Sequence, residues 1–441
     1  MSEVLLSVGL DVGTTSSQMV LSELTVENRA GSFAVPEMEI EERKILYKSP
    51  IHFTPLLDGD RVDGEKLREI VDAEYEKAGI RKSEVDTGAI IITGETSRKE
   101  NARTVLEQLS GYAGDFVVAT AGPDLESVLA AKGAGAVEYS EKTGKTVLHM
   151  DIGGGTSNLA LIEDGVITAT ACLNVGGRLL KIRPDGCLSY VSPVLEGIFG
   201  KKNGDYVNRE EVLELSRKLV QALEAAAGLR EKESWMLWLK TAESGHLEPP
   251  RKAVISFSGG VADCIGKEQA WLAFGDMGPE LGRAIRESRL CGGDYVLGEE
   301  TIRATVIGAG CHSAQLSGST VFCQNVEFPL KNLQVAESAE ALRKLDGPGV
   351  LAIPGEKSPG YWQVARLAER VIRDFGERHI FLALREDMAK ALGQQIALRL
   401  GKDVPILCID RVLLREGDFL DVGAPVGPAL PVVIKTLILS R

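Results

Sequence analysis

Two short glycine-rich turns constrain this chain more than any other feature. The first reads Asp11-Val12-Gly13-Thr14-Thr15 and the second Asp151-Ile152-Gly153-Gly154-Gly155-Thr156. Each follows an apolar run of strand type, Val4 to Leu10 before the first and Thr146 to Met150 before the second. Each also precedes one, Ser17 to Leu21 and Asn158 to Ile162. The chain therefore makes one unit twice: strand, Asp-containing glycine turn, strand. Turns of Gly, Thr and Ser let backbone N–H groups approach an anion, because no Cβ stands in the way. Three successive glycines weaken a strand unless some group must come close to the backbone. A carboxylate at a strand end suits a hydrated Mg²⁺, which takes oxygen ligands and keeps several waters. Two such turns face to face would hold the phosphates and metal of a nucleoside triphosphate from both sides. A plain tight turn is the alternative for either motif alone, above all for the first. The repeated context favours the pair.

A third element fits the same site. The run Ala253 to Phe257 ends in Ser258-Gly259-Gly260, before Val261-Ala262-Asp263 opens the next element. Glycines at a strand–helix junction let a flat ring lie against the backbone, so Ser258, Gly259 and Gly260 are expected to flank an adenosine. The small-residue runs Ala130 to Ala136 and Gly308 to Ala314 read as closely packed helices, which also suits a hinge between lobes. The strand run Ala89 to Thr93 ends at Gly94-Glu95-Thr96. Glu95 is the only obvious cleft carboxylate besides Asp11 and Asp151, although a helix-start role favoured by the dipole explains it equally well. Gly349 to Ser358 lacks the Gly-Lys pair of a P-loop.

Length and composition bound the rest. At 441 residues, two to four domains are expected. A 44% apolar content indicates globular folding, and a net charge of −13 argues against general binding to nucleic acid or anionic membranes. No basic-then-apolar leader and no bilayer-length apolar run is evident. The seven cysteines are scattered without a C-x-x-C pair, which fits reduced thiols and a cytoplasmic location. The five histidines form no zinc-binding pattern.

Periodicity gives a coarse map. Residues 28–61 read as an irregular insert or hairpin, Glu65 to Ala78 as an amphipathic helix closed by Gly79, and Pro123 to Ala136 as one helix. A further helix is expected from Arg209 to Ala227. From about residue 319, strand and helix patterns alternate: strands at Gly349 to Ile353, His379 to Leu384 and Val404 to Ile409, helices at Tyr361 to Asp374 and Glu386 to Leu400, and a closing strand from Leu430. The expected division is a first lobe at 1–145 with an insert at about 28–61, a second lobe and connecting helix at 146–318 with an insert at about 176–250, and a C-terminal α/β unit at 319–441.

The order of Asp-x-Gly-Thr-Thr, small-residue helix, Asp-x-Gly-Gly-Gly-Thr, strand-Gly-Gly and second small-residue helix resembles the actin, Hsp70 and sugar-kinase superfamily over about residues 4–316. That resemblance implies an α/β fold: a duplicated, two-lobed ATPase core of ribonuclease-H type, here with a C-terminal α/β extension. It implies ATP or ADP with Mg²⁺ in the cleft, metal at Asp11 and Asp151, and phosphates on Gly13, Thr14, Thr15, Gly153, Gly154, Gly155 and Thr156. Asp11, Asp151 and Glu95 are the catalytic candidates. A closer resemblance covers nearly the whole chain. Gly9 to Gln18, Ile92 to Thr96, Asp421-Val422-Gly423 and Pro431 to Leu437 resemble the ethanolamine ammonia-lyase reactivating factors. The implied function is an ATP-dependent chaperone, a slow Mg²⁺-dependent ATPase. Its partner would be an adenosylcobalamin-dependent lyase that it rids of damaged cobalamin. The implied setting is bacterial, with a link to an ethanolamine microcompartment, and self-association is left open. One departure stands out: the Hsp70 pattern has Asp where this chain has Asn158. Weaker metal binding and slow turnover are expected from it, and Asn158→Asp is expected to raise the rate. A small-molecule kinase and an actin-like polymerising ATPase remain the alternative functions.

Overall fold

The repeat in the sequence is a repeat of sheet topology. The computed structural model describes residues 3–13, 16–28, 38–57, 61–93, 101–113, 118–120, 123–241, 247–248, 252–298, 300–312, 315–318, 320–345, 347–375, 379–416, 418–425 and 427–436. In the first lobe, β1 (Glu3–Val12) and β2 (Ser16–Asn28) form an antiparallel pair across the first turn, with Asp11 opposite Gln18. Strand β3 (Met38–Lys48) extends the β2 edge, and β4 (His52–Phe53) pairs with the start of β2. Helix α1 (Gly64–Ala78) leads to β5 (Thr87–Ile92), parallel to β1, and α2 (Ala102–Ala113) leads to β6 (Val118–Thr120). The sheet order is β3-β2-β1-β5-β6.

Helix α1 shows why these segments fold as they do. The Asp63 carboxylate accepts from the Lys66 backbone N–H, and Gly79 at φ +70° ends the helix in a left-handed turn. Leu67, Val71 and Tyr75 recur at i, i+4 and i+8 and are buried against the sheet with Leu109 of α2. Each such side chain contributes about 1.5–3 kcal/mol relative to exposure.

Helices α3 (Pro123–Gly133) and α4 (Ala136–Thr143) connect to the second lobe. There β7 (Val147–Ile152), β8 (Ser157–Glu163) and β9 (Val166–Leu173) form an antiparallel meander, with Asp151 opposite Asn158. A small hairpin of β10 (Leu180–Ile182) and β11 (Leu188–Val191) and helix α5 (Arg209–Ala226) follow. Next come β12 (Val254–Ser258), α6 (Gly260–Gly266), α7 (Gly278–Arg286), β13 (Tyr295–Leu297) and α8 (Ala304–His312). The sheet order is β9-β8-β7-β12-β13, with β7, β12 and β13 parallel. Order and strand directions match the first lobe strand for strand, so the core is a duplicated two-lobed α/β unit.

The lobes meet where α3 crosses α8. A Cβ at Gly133 would collide with the Ala304 carbonyl, and one at Gly308 with the Leu129 carbonyl. A Cβ at Gly9 would collide with the Val306 carbonyl, so α8 also lies directly on β1. The small-residue runs are thus helices in backbone contact.

The remaining strands build one eight-stranded sheet. They are β14 (Gln315–Leu316), β15 (Phe322–Gln324), β16 (Leu330–Ala336), β17 (Gly349–Ile353), β18 (Ile380–Leu384), β19 (Ile406–Ile409), β20 (Asp418–Val422) and β21 (Pro431–Thr436). Strands β16 to β19 run parallel, linked by α9 (Ala339–Arg343), α10 (Tyr361–Phe375) and α11 (Ala389–Leu400). Val433 of β21 is buried with Leu5, Leu24 and Val26 of the first lobe, so this unit is docked on β1 and β2. Among the described residues, no helix is long and apolar enough to cross a membrane.

The structure refines the sequence reading at three places. Of the expected irregular insert or hairpin, residues 38–48 take the hairpin form as the long edge strand β3, antiparallel to β2, with Ile40, Ile45 and Tyr47 set among charges. The expected single helix from Pro123 breaks at Gly135, φ +74°, into α3 and α4. Helix α11 starts at Ala389 rather than Glu386, because the Asp410 carboxylate accepts from the Ala389 N–H at 3.3 Å.

Candidate nucleotide cleft

The two turns line one cavity of about 250 Å³ between the lobes. They are built alike. In the first, Gly13 N–H donates to the Ser16 carbonyl at 2.9 Å, and in the second Gly153 N–H donates to the Thr156 carbonyl at 2.9 Å. Gly13, Gly153, Gly154, Gly155 and Thr156 all line the cavity. Thr14, Thr15 and Glu95 lie outside the described residues.

The glycines of the second turn are not required by the fold. A Cβ at Gly155 would meet nothing within 4 Å, one at Gly153 only the Thr156 carbonyl at 3.6 Å, and one at Gly154 the Arg178 side chain at 3.4 Å. These are ordinary contacts, and none of the three has a positive φ. The space they leave open faces the cavity and suits a phosphate chain. Their neighbours differ. A Cβ at Gly176 would collide with the Gly154 carbonyl, and one at Gly259, φ +85°, with Ile152. These glycines let the loops beneath the turn pack against it, with Arg178 N–H donating to the Gly154 carbonyl at 2.6 Å.

Asp11 and Asp151 stand at matching ends of β1 and β7, both buried. The Thr93 hydroxyl donates to Asp11 at 3.0 Å, yet burial, with Asp151 adding to it, pushes the Asp11 carboxyl up to about 7. Burial pushes Asp151 up to about 6, against hydrogen bonds from Ser258 and from Thr305 at 3.4 Å. His149, fully buried and driven down to about 3 by desolvation, lies 3.0 Å from the Ser258 hydroxyl and fixes it from behind. Ser258 is fully buried and supports Asp151 from beneath the cavity. Gly259 and Gly260 do line the cavity.

The structure adds residues that sequence reasoning missed. Glu126 of α3 lines the cavity, and burial, then the charges of Asp151 and Asp11, hold its carboxyl well above the usual range. Asn158 hydrogen-bonds to Glu126. Asp263 and Asp276 also line the cavity. Glu95 is thus not the only further carboxylate to consider. Gln18 and Asn158, opposite the two aspartates, are both buried, and the amide oxygen of each has no hydrogen-bond partner. Phe274, just over half exposed, Thr93 and Arg178 are also among the unforeseen lining residues. Only the matching register of Gln18 and Asn158 was readable in advance, from the repeat. Glu126 carries no local motif, since its place comes from α3 crossing α8.

Among the described residues, no three His, Cys, Asp or Glu side chains gather tightly enough to cage a metal ion. The donor set fits Mg²⁺ all the same. The crowded acidic carboxyls would be relieved by a cation, and Mg²⁺ characteristically uses one or two carboxylates with water and phosphate oxygens. A larger groove of about 500 Å³ on the C-terminal unit, lined by Glu337, Arg385 and Arg415 among others, contains neither turn.

Comparison with known proteins agrees over the full length. The chain is 37% identical to ethanolamine ammonia-lyase reactivase EutA of Salmonella typhimurium, over 98% of both chains. It is 36% identical to the protein of the same name from Escherichia coli, again over 98% of both. Among solved structures, a PPX-GPPA enzyme of Aquifex aeolicus matches 69% of this chain and 99% of its own, at 13% identity and a TM-score of 0.43. The family model described as ethanolamine utilisation protein EutA matches residues 3–348 and 341–440, and the chain belongs to that family.

Proposed function

We propose that this chain is an ATP-dependent reactivase of ethanolamine ammonia-lyase, which opens the inhibited lyase so that damaged cobalamin leaves and intact adenosylcobalamin enters. The partner is taken from the relatives' name and from their 36–37% identity over nearly the whole chain. The single observation that carries the ATP dependence is the space above Gly153, Gly154 and Gly155, which the fold does not need and which lies among the cleft carboxylates.

Within that cleft the backbone of both turns holds the phosphates. Asp11 and Asp151 would hold Mg²⁺, with the unpartnered amide oxygens of Gln18 and Asn158 beside them. When bound, the ion neutralises charge on the phosphates. Glu126, positioned by Asn158, orients the attacking water. Such catalysis is mostly positioning. Arg178 is the one cation among the described lining residues, so slow hydrolysis is expected. The lobes can act on the lyase only through a difference in affinity between their ATP-bound and ADP-bound arrangements.

The test is reactivation of lyase blocked by an inactive cobalamin, in free adenosylcobalamin, with and without the protein, ATP and Mg²⁺. Recovery should need all three, with no phosphoethanolamine formed. Recovery indifferent to the protein, or stoichiometric phosphoethanolamine, would overturn the reading.

A further inference from the structure

The cleft is strikingly one-sided in charge only at its carboxylates: Asp11, Glu126, Asp151, Asp263 and Asp276 all line it, while Arg178 is the sole cation among its described lining residues. Arg178 is placed by the phosphate turn itself. Its N–H is bonded to the Gly154 carbonyl at 2.6 Å, and its Cβ, Cγ and Cδ lie 3.4–3.6 Å from where a Gly154 Cβ would stand. Its aliphatic stem therefore runs over the central glycine. Its Nε is paired with Asp276 at 3.2 Å, and the side chain remains about a third exposed. Asp276 is nearly buried, and a second bond, from Gly278 N–H at 2.9 Å, keeps it in place at the start of α7 whether or not Arg178 is there.

A guanidinium fork matches phosphate oxygens as well as it matches a carboxylate. A single Nε contact at a partly exposed site is easily exchanged. We propose that Arg178 reads the terminal phosphate of the nucleotide, leaving Asp276 when ATP is bound and returning to it when only ADP remains. The proposal rests on the nucleotide-cleft reading above. Asp276 lies two residues before α7 and is bonded to its first residue, Gly278, so Arg178 leaves and returns to a fixed anion.

The experiment is calorimetric binding of Mg·ATP and Mg·ADP to the full chain and to Arg178→Ala, Arg178→Lys and Asp276→Asn, with thermal melts as fold controls. Asp276→Asn keeps an oxygen for the Gly278 N–H. Wild type should bind ATP more tightly than ADP. Arg178→Ala should lose about ten- to a hundredfold in ATP affinity, the range for a hydrogen bond to a charged group, with ADP nearly unchanged. Arg178→Lys should fall between, and Asp276→Asn should tighten ATP about threefold by removing the competing anion. If wild type binds neither nucleotide, the cleft reading itself fails. If wild type binds and Arg178→Ala loses nothing, or loses ATP and ADP equally, only the Arg178 assignment fails. Should Arg178→Ala not fold, Asp276→Asn decides: unchanged or weakened ATP binding overturns the proposal.

Discussion

At the scale of single residues, the glycines divide into two kinds with opposite expected behaviour. A Cβ at Gly154 meets only the Arg178 side chain, which can shift, so Gly154→Val should fold and melt near wild type while ATP affinity falls more than about tenfold, by calorimetry, because the new methyls crowd the phosphate turn and displace the Arg178 stem. Gly259 has a positive φ and touches Ile152, so Gly259→Ala should instead cost about 1–3 kcal/mol in denaturant unfolding. The carboxylates give a pH signature. Asp151 titrates near 6 when folded and near 3.8 when unfolded, so the folded state binds the extra proton between those values. Its contribution to stability is full below about 3.8 and is lost as pH rises through 6. Buried His149, driven down to about 3, acts in the opposite direction below 6.5, so the variant-minus-wild-type difference is the clean readout. Asp151→Asn should melt higher than wild type at pH 8, by a margin that shrinks toward pH 4.5. A constant margin would remove Asp151 from its buried site. Glu126→Gln should lower ATP turnover about a hundredfold with ATP affinity little changed. The Asn158–Glu126 hydrogen bond also reverses the sequence expectation for Asn158→Asp. A further carboxylate there would repel Glu126, and phosphate-release assays should show slower turnover.

Elements differ in how openly the sequence displays them. Strands β1, β2, β7 and β8 were legible because apolar runs flank an unmistakable turn, and α1 because its caps and apolar face agree. Strand β3 was legible only as one of two alternatives, insert or hairpin, since an edge strand with charges on its exposed positions has little apolar signal. The turns of the site were readable, but Glu126, Arg178 and Asp276 were not, because each reaches the cleft through long-range packing that no local pattern records. Ser258 was readable as part of a motif, yet its inward direction depends on His149 and Asp151 across β7 and β12. The crossing of α3 and α8 is where the elements are most demanding. Gly133→Ala would force the two backbones apart and should cost about 1–3 kcal/mol by denaturant unfolding, while the same change at Gly200, where nothing lies within 4 Å and φ is not positive, should cost little. Equal costs at the two positions would contradict the crossing.

For the whole molecule, the C-terminal unit rides on the first lobe through Val433, Leu5, Leu24 and Val26, while the second turn belongs to the other lobe. A change of nucleotide would then move the second lobe against the first lobe and its appendage together. The central claim is that this cleft drives reactivation. It is tested most directly by adding wild type or folded Gly154→Val, with Mg·ATP and free adenosylcobalamin, to ethanolamine ammonia-lyase blocked by an inactive cobalamin. The account predicts recovery of lyase activity with wild type and none above background with the variant. Equal recovery with both would contradict it.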